Sequence, residues 1–112
     1  MLLPRIKKII SVAPYTIVCE WTSGEIRAIQ MEEKLKEWAN EPKSVYKRLL
    51  DKNIFTKVKL DVASKTIFWD GLIKMKGTDG TLFDAPLDLD PDVLYRMSIP
   101  VNKTKNLDNI AA

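Results

Sequence analysis

Ile54–Asp70, IFTKVKLDVASKTIFWD, carries the densest apolar pattern in the chain and decides how the rest is read. In its first half Val58, Leu60 and Val62 alternate with Lys57, Lys59 and Asp61, the two-residue period of a strand with one buried and one wet face. Its second half, Thr66–Trp69, is β-branched and aromatic, the composition of a central strand. Ala63, Ser64 and Lys65 lie between them, too few for a crossover helix, so the two strands are expected to pair as an antiparallel hairpin.

Upstream, the apolar period changes. Met31, Leu35, Trp38 and Ala39 recur at three and four, with Glu32 and Lys36 paired on the polar side, which predicts an amphipathic helix. Pro42 cannot sit inside a helix without losing a hydrogen bond and clashing with the preceding turn. At a first helical position it is harmless, so a second helix is expected from Pro42 to about Leu50, burying Val45 and Leu49 and one side each of Tyr46 and Leu50. Before these helices come three strands. Arg5–Val12 is expected to place Ile6, Ile10 and Val12 on one face and Lys7 and Ile9 on the other. Tyr15–Trp21 alternates Tyr15, Ile17, Cys19 and Trp21 against Thr16, Val18 and Glu20. Ser23-Gly24 is a turn signal, and Glu25–Ile29 should return antiparallel.

Downstream, Asp70-Gly71 opens a region expected to be loop through Pro86, with Leu72-Ile73 and Leu82-Phe83 as a small edge hairpin. Asp90-Pro91-Asp92 then reads as a helix start: Asp90 as N-cap, Pro91 at the first position, Asp92 near the positive end of the dipole. The helix is expected to run to about Met97, with Pro100 stopping it. The fold class is therefore α+β, a mostly antiparallel sheet of meander-like hairpins, with helices between strands 3 and 4 and a short C-terminal one. One domain over residues 1–98 and a polar tail over 99–112 are expected.

Composition narrows the chemistry. The 112 residues are 46% hydrophobic and 29% charged, ordinary for a globular chain long enough to bury a core without metal or disulfide staples. There is no histidine, which excludes Ser-His-Asp and Cys-His catalysis and mixed Cys-His zinc sites. Cys19 is the only cysteine and reads as a small buried hydrophobe. No apolar run approaches the roughly 20 residues of a membrane span. The opening Met1-Leu2-Leu3-Pro4-Arg5 does not read as a secretion signal, so a cytoplasmic location is expected. The formal charge of +3 is uneven, with residues 1–78 at +6 and 79–112 at −3, an asymmetry that bears on partners rather than fold.

Taken together, Tyr15–Trp21, Gly24-Glu25, Leu50-Asp51 with Phe55, the hairpin ending in Trp69, and the closing Asp88-Leu89-Asp90-Pro91-Asp92-Val93-Leu94-Tyr95 resemble the bacterial domain of unknown function 2442 family. The resemblance spans about residues 5–98. Its signature falls here on Trp69, Asp88, Asp90, Pro91, Asp92, Leu94 and Tyr95. One departure is the lengthened connection Asp70–Pro86 before the closing signature. The resemblance implies a compact α+β domain with no established activity, some of whose members resemble partners in toxin and antitoxin pairs.

Two constellations invite a chemical reading. Asp88, Asp90 and Asp92, near Asp84, resemble the opening of a calcium loop, but Pro91, Val93 and Ile99 stand where that loop needs other residues, glycine and glutamate among them. Strand alternation and helix capping explain the aspartates, and no metal or other cofactor is expected. Nothing in the spacing of the acids selects a catalytic pair at the 5–9.5 Å that glycosidase chemistry uses, so no catalytic residues are assigned and the chain is read as no enzyme. Lys43, Lys47, Arg48, Lys52, Lys57 and Lys59 form the other set. They are expected to make a positive patch that would meet phosphates or an acidic partner, with Tyr46 or Trp38 stacking on a base if exposed. Trp21, Trp38 and Trp69 each fall on an apolar face and are read as core. The leading expectation is a module that binds another protein. The alternative is nucleic-acid binding through the basic patch. A homodimer through a sheet edge or the Leu72–Phe83 region is also open.

Overall fold

The computed structural model describes residues 2–41 and 44–101. In chain order they form β1 (Ile6–Ala13), β2 (Thr16–Trp21), β3 (Ile26–Gln30), α1 (Glu32–Trp38), a 3-10 segment (Val45–Leu50), α2 (Lys52–Phe55), β4 (Lys59–Asp61), β5 (Thr66–Lys76), β6 (Leu82–Asp88), α3 (Pro91–Met97) and β7 (Ser98–Pro100). The strands make two antiparallel sheets, β1-β2-β3-β7 and β4-β5-β6. The fold is α+β, as the sequence indicated.

In the first sheet, β2 alternates as read: Ile17, Cys19 and Trp21 enter the main core, while Val18 packs with Ala28 and Val101 on the other face. β1 departs from the expected alternation. Its pairing with β2 slips between Ile6 and Lys8 and again between Ile9 and Ser11, so each slip inserts one extra residue as a β-bulge. The inward positions become Ile6, Ile9 and Val12, spaced by three, and Ile10 turns outward to 41% exposure.

The helix after β3 packs as its period required, with Met31, Leu35 and Ala39 buried and Trp38 half-buried. The segment after Pro42 is a 3-10 helix rather than an α-helix where it is described, from Val45. Ser44 caps it, accepting from the Tyr46 N–H at 3.2 Å and donating to the Trp38 carbonyl at 2.9 Å. Leu49 is its buried residue, while Val45, Tyr46 and Leu50 lean on the core. Pro42 itself lies outside the described residues. Asp51 does not simply close this segment. Its carboxylate accepts from the Asn53 N–H at 2.9 Å and starts α2, which takes Ile54 and Phe55 out of the expected strand.

That capture leaves β4 with only Lys59–Asp61. The turn begins at Val62, which is 78% exposed instead of facing the core. The Asp61 carboxylate accepts from the Ala63 and Ser64 amides at 3.0 and 3.3 Å, and Lys65 closes the turn at φ +56°. β5 is central in its sheet, as expected for Thr66–Trp69, but it does not stop at Asp70. It runs on to Lys76 and pairs with β6 from Phe68↔Asp88 to Lys76↔Leu82. The small edge hairpin expected from Leu72-Ile73 and Leu82-Phe83 is thus present but longer, and the loop expected around it is a continuation of the sheet. The ladder slips once, between Trp69 and Ile73. Gly71 sits there at φ +68°, a conformation that costs glycine little. Pro86, near the slip on the facing strand, has no N–H to give.

One apolar cluster draws on both sheets, with Ile6, Ile17, Trp21 and Ile29 from the first and Ile67, Trp69 and Leu87 from the second. A chain of rings joins them: Tyr15 to Phe55 at 5.3 Å and Phe55 to Trp69 at 5.8 Å between centroids. α3 begins as read, with the Asp90 carboxylate accepting from the Asp92 N–H at 2.9 Å and Pro91 in the first turn. It ends at Met97, and Ile99 and Pro100, expected in the tail, belong to β7 beside β3. Val101 is buried, and 102–112 lie outside the described residues.

Candidate functional site

The shortness of β4 creates the most distinctive concavity. α2 ends at Phe55, and amide bonds from Lys57 to the Ile54 carbonyl (3.0 Å) and from Val58 to the Phe55 carbonyl (3.2 Å) turn the chain before it enters the sheet. β5 outruns its neighbour, and a groove of about 470 Å³ opens beside it. Its floor is apolar, from Ile54, Val58, Leu72 and Trp69, and its rim carries Arg48, Lys57, Lys59 and Asp70. Trp69 is only 1% exposed and its indole N–H is spent inside the core, so it backs the floor from beneath and offers neither a surface nor a donor.

Three members of the basic set therefore meet at one site. Lys59 pairs with Asp70, each 59% exposed, an exposed pair of the kind worth about 0–1 kcal/mol. Arg48 reaches the Leu72 carbonyl at 3.5 Å, at the long limit of hydrogen bonding. Lys57 is exposed and has no carboxylate within ion-pair reach among the described residues. Lys47 and Lys52 are exposed but do not line the groove, and Lys43 lies outside the described residues. Tyr46 and Trp38 pack on each other at 5.2 Å and are half-buried, so neither stands free as a stacking platform.

The closing signature has structural work of its own. Asp90 caps α3, Asp92 pairs with Arg5, and Leu94 is buried. The Tyr95 hydroxyl donates to Glu25 at 2.8 Å while the Arg27 guanidinium lies 4.4 Å above its ring. Arg27 also reaches Glu25 at 2.9 Å and the Ser98 hydroxyl and carbonyl at 2.7 and 2.8 Å. These contacts lock α3 and β7 onto β3. Hydrogen bonds from the Ser23 and Tyr95 hydroxyls hold the Glu25 carboxyl below its usual range, and the bond to Glu25 in turn raises the Tyr95 phenol. Asp88 is exposed at the end of β6, and the Asp84 side chain lies outside the described set. Among the described residues no three Asp, Glu or Cys side chains gather as metal ligands.

A second concavity, about 690 Å³, lies between α1 and the start of β2. Its wall includes Glu32, Glu33 and Glu37, and Glu32 and Glu37 pair with neighbouring lysines at 3.5 and 3.6 Å. Tyr15, Met31 and Met97 supply its apolar lining. The sequence assigns Asp70-Gly71 to a loop and Leu72 to a small edge hairpin, and so does not place these three groove residues beside Arg48 and Lys57. A lone glycine inside a strand pattern that resumes at Ile73 is the signal of a bulge. Among the described residues no helix is long and apolar enough to cross a membrane. Comparison with protein-family models, with curated proteins and with solved structures gives no match.

Proposed function

We propose that this chain is a non-enzymatic protein-binding module of the domain of unknown function 2442 family, cytoplasmic and bacterial, and that its partner seats in the groove beside β5. The observation that carries this reading is the groove itself, an apolar floor ringed by cations. One leucine-sized side chain buried on such a floor contributes about 1.5–3 kcal/mol, and the rim orients the residues on either side of it. A partner of a toxin and antitoxin type fits this chemistry.

Nucleic-acid binding is the second reading, favoured by the exposure of Lys47, Lys52 and Lys57, none of them ion-paired among the described residues. The test is capture of tagged full-length chain from its host beside the doubly charge-reversed Arg48→Glu/Lys57→Glu variant. Both positions are exposed, so the variant should fold. A stoichiometric protein retained by the native chain and lost by the variant supports the first reading. Nucleic acid alone, released steeply by salt, supports the second. Capture of neither by the native chain rejects both.

A further inference from the structure

β4 covers only the Thr66–Phe68 stretch of β5, and among the described residues no strand lies beside Asp70–Lys76 on that side. On the other side β6 pairs with Ile73–Lys76, the ladder slipping between Trp69 and Ile73. Over about 20 Å at strand rise this half-edge therefore has no strand paired to it among the described residues, only the 3-10 segment's Arg48 reaching it at Leu72, and it begins inside the groove. The Leu72 carbonyl takes a long 3.5 Å contact from the Arg48 guanidinium, so a side chain from the 3-10 segment already reaches this stretch of main chain.

We propose that the partner adds a strand here: an extended segment with alternating apolar and acidic residues, lying in line with β4 and pairing with β5 from Asp70 onward. This rests on the protein-binding reading. Main-chain bonds to an open edge supply affinity and alternate side chains supply selectivity. The apolar side chains enter over the half-buried Ile54 and Val58, with Leu72 and Trp69 beneath them, and the carboxylates meet Arg48 and Lys57. Charge selects the occupant. Three cations line the groove against one carboxylate, and that carboxylate is already held by Lys59. A second copy of this chain would bring its own cations against them. Nucleic acid would leave the apolar floor unused.

The test titrates full-length protein with a short capped peptide alternating valine and glutamate, followed by the protein's amide NMR signals. Two counterparts accompany it: the same peptide N-methylated at alternate amides, and one with lysine in place of glutamate. The acidic peptide is expected to shift the amides of Asp70–Ile73, and N-methylation or charge reversal to weaken it by about tenfold or more. Lys57→Glu should weaken the acidic peptide likewise. Equal binding of the N-methylated peptide would overturn strand addition while leaving the protein-binding reading intact. So would no peptide binding by a chain that still captures a protein through the groove. Concentration-dependent dimerisation perturbing the same amides would assign the edge to a second copy instead. Absence of both peptide binding and a captured protein removes both readings together.

Discussion

The indole N–H of Trp69 donates to the main-chain carbonyl of Phe55 at 3.0 Å, inside the core. This bond ties the end of α2 to the central strand and holds the groove floor against its wall. Trp69→Phe keeps an aromatic ring but removes the donor and part of the volume. The carbonyl retains the Val58 amide at 3.2 Å, so it is not orphaned. A loss of about 1–3 kcal/mol is expected, one hydrogen bond plus a small cavity, read as a lower urea midpoint with unchanged slope.

Asp90 accepts from the Asp92 N–H at the start of α3. Asp90→Ala should cost about 1 kcal/mol and Asp90→Asn much less, since asparagine caps nearly as well. Thermal unfolding of the two variants side by side checks the ranking.

The Glu25–Tyr95 hydrogen bond gives stability a two-sided pH dependence. Glu25 titrates below its usual range because of Ser23 and Tyr95. Its contribution is present above the ordinary carboxylate value of about 4.3 and lost as pH falls through the lower folded value. Tyr95 titrates above its usual range because of Glu25. Its contribution is present below about 10 and lost as pH rises through the raised value. The stability difference between the native chain and Tyr95→Phe should therefore be flat between these limits and narrow outside both. A difference independent of pH would remove this coupling.

Burial pushes the Cys19 thiol up to about 12, so near neutral pH it is neither ionised nor reachable. Labelling by a thiol reagent should require unfolding and be slower than in denaturant by about 10³-fold or more. Fast labelling of the native chain would contradict the buried position.

What was legible in the sequence was what local rules govern. The Asp90-Pro91-Asp92 start, the faces of β2 and the helical period from Met31 all follow from caps and periodicity, and the structure keeps them. What was not legible depended on competition between neighbours. Asp51 captures Ile54 and Phe55 into α2 because its carboxylate is free to cap, and alternation in the residues after it gives no sign of that. Gly71 looks like a turn residue until the strand beyond it is seen to resume. The basic set was visible as charge, but only the short β4 brings Arg48, Lys57 and Lys59 around an apolar floor.

The spacing by three in β1 has a further meaning. Residues 7 and 8 are both lysine, and 9 and 10 both isoleucine. Striking one letter from each pair leaves Ile-Lys-Ile-Ser-Val-Ala, a plain alternating strand with the same three residues toward the core. β1 is thus a regular strand carrying two duplicated letters, and this segment should tolerate losing them, where a one-residue deletion in β2 would turn the strand's core face outward. The shortened chain would give up a twisted outer edge for a straight one, and straight edges join. The two extra residues add nothing to the core and leave a bulged, twisted strand where a straight one would otherwise lie.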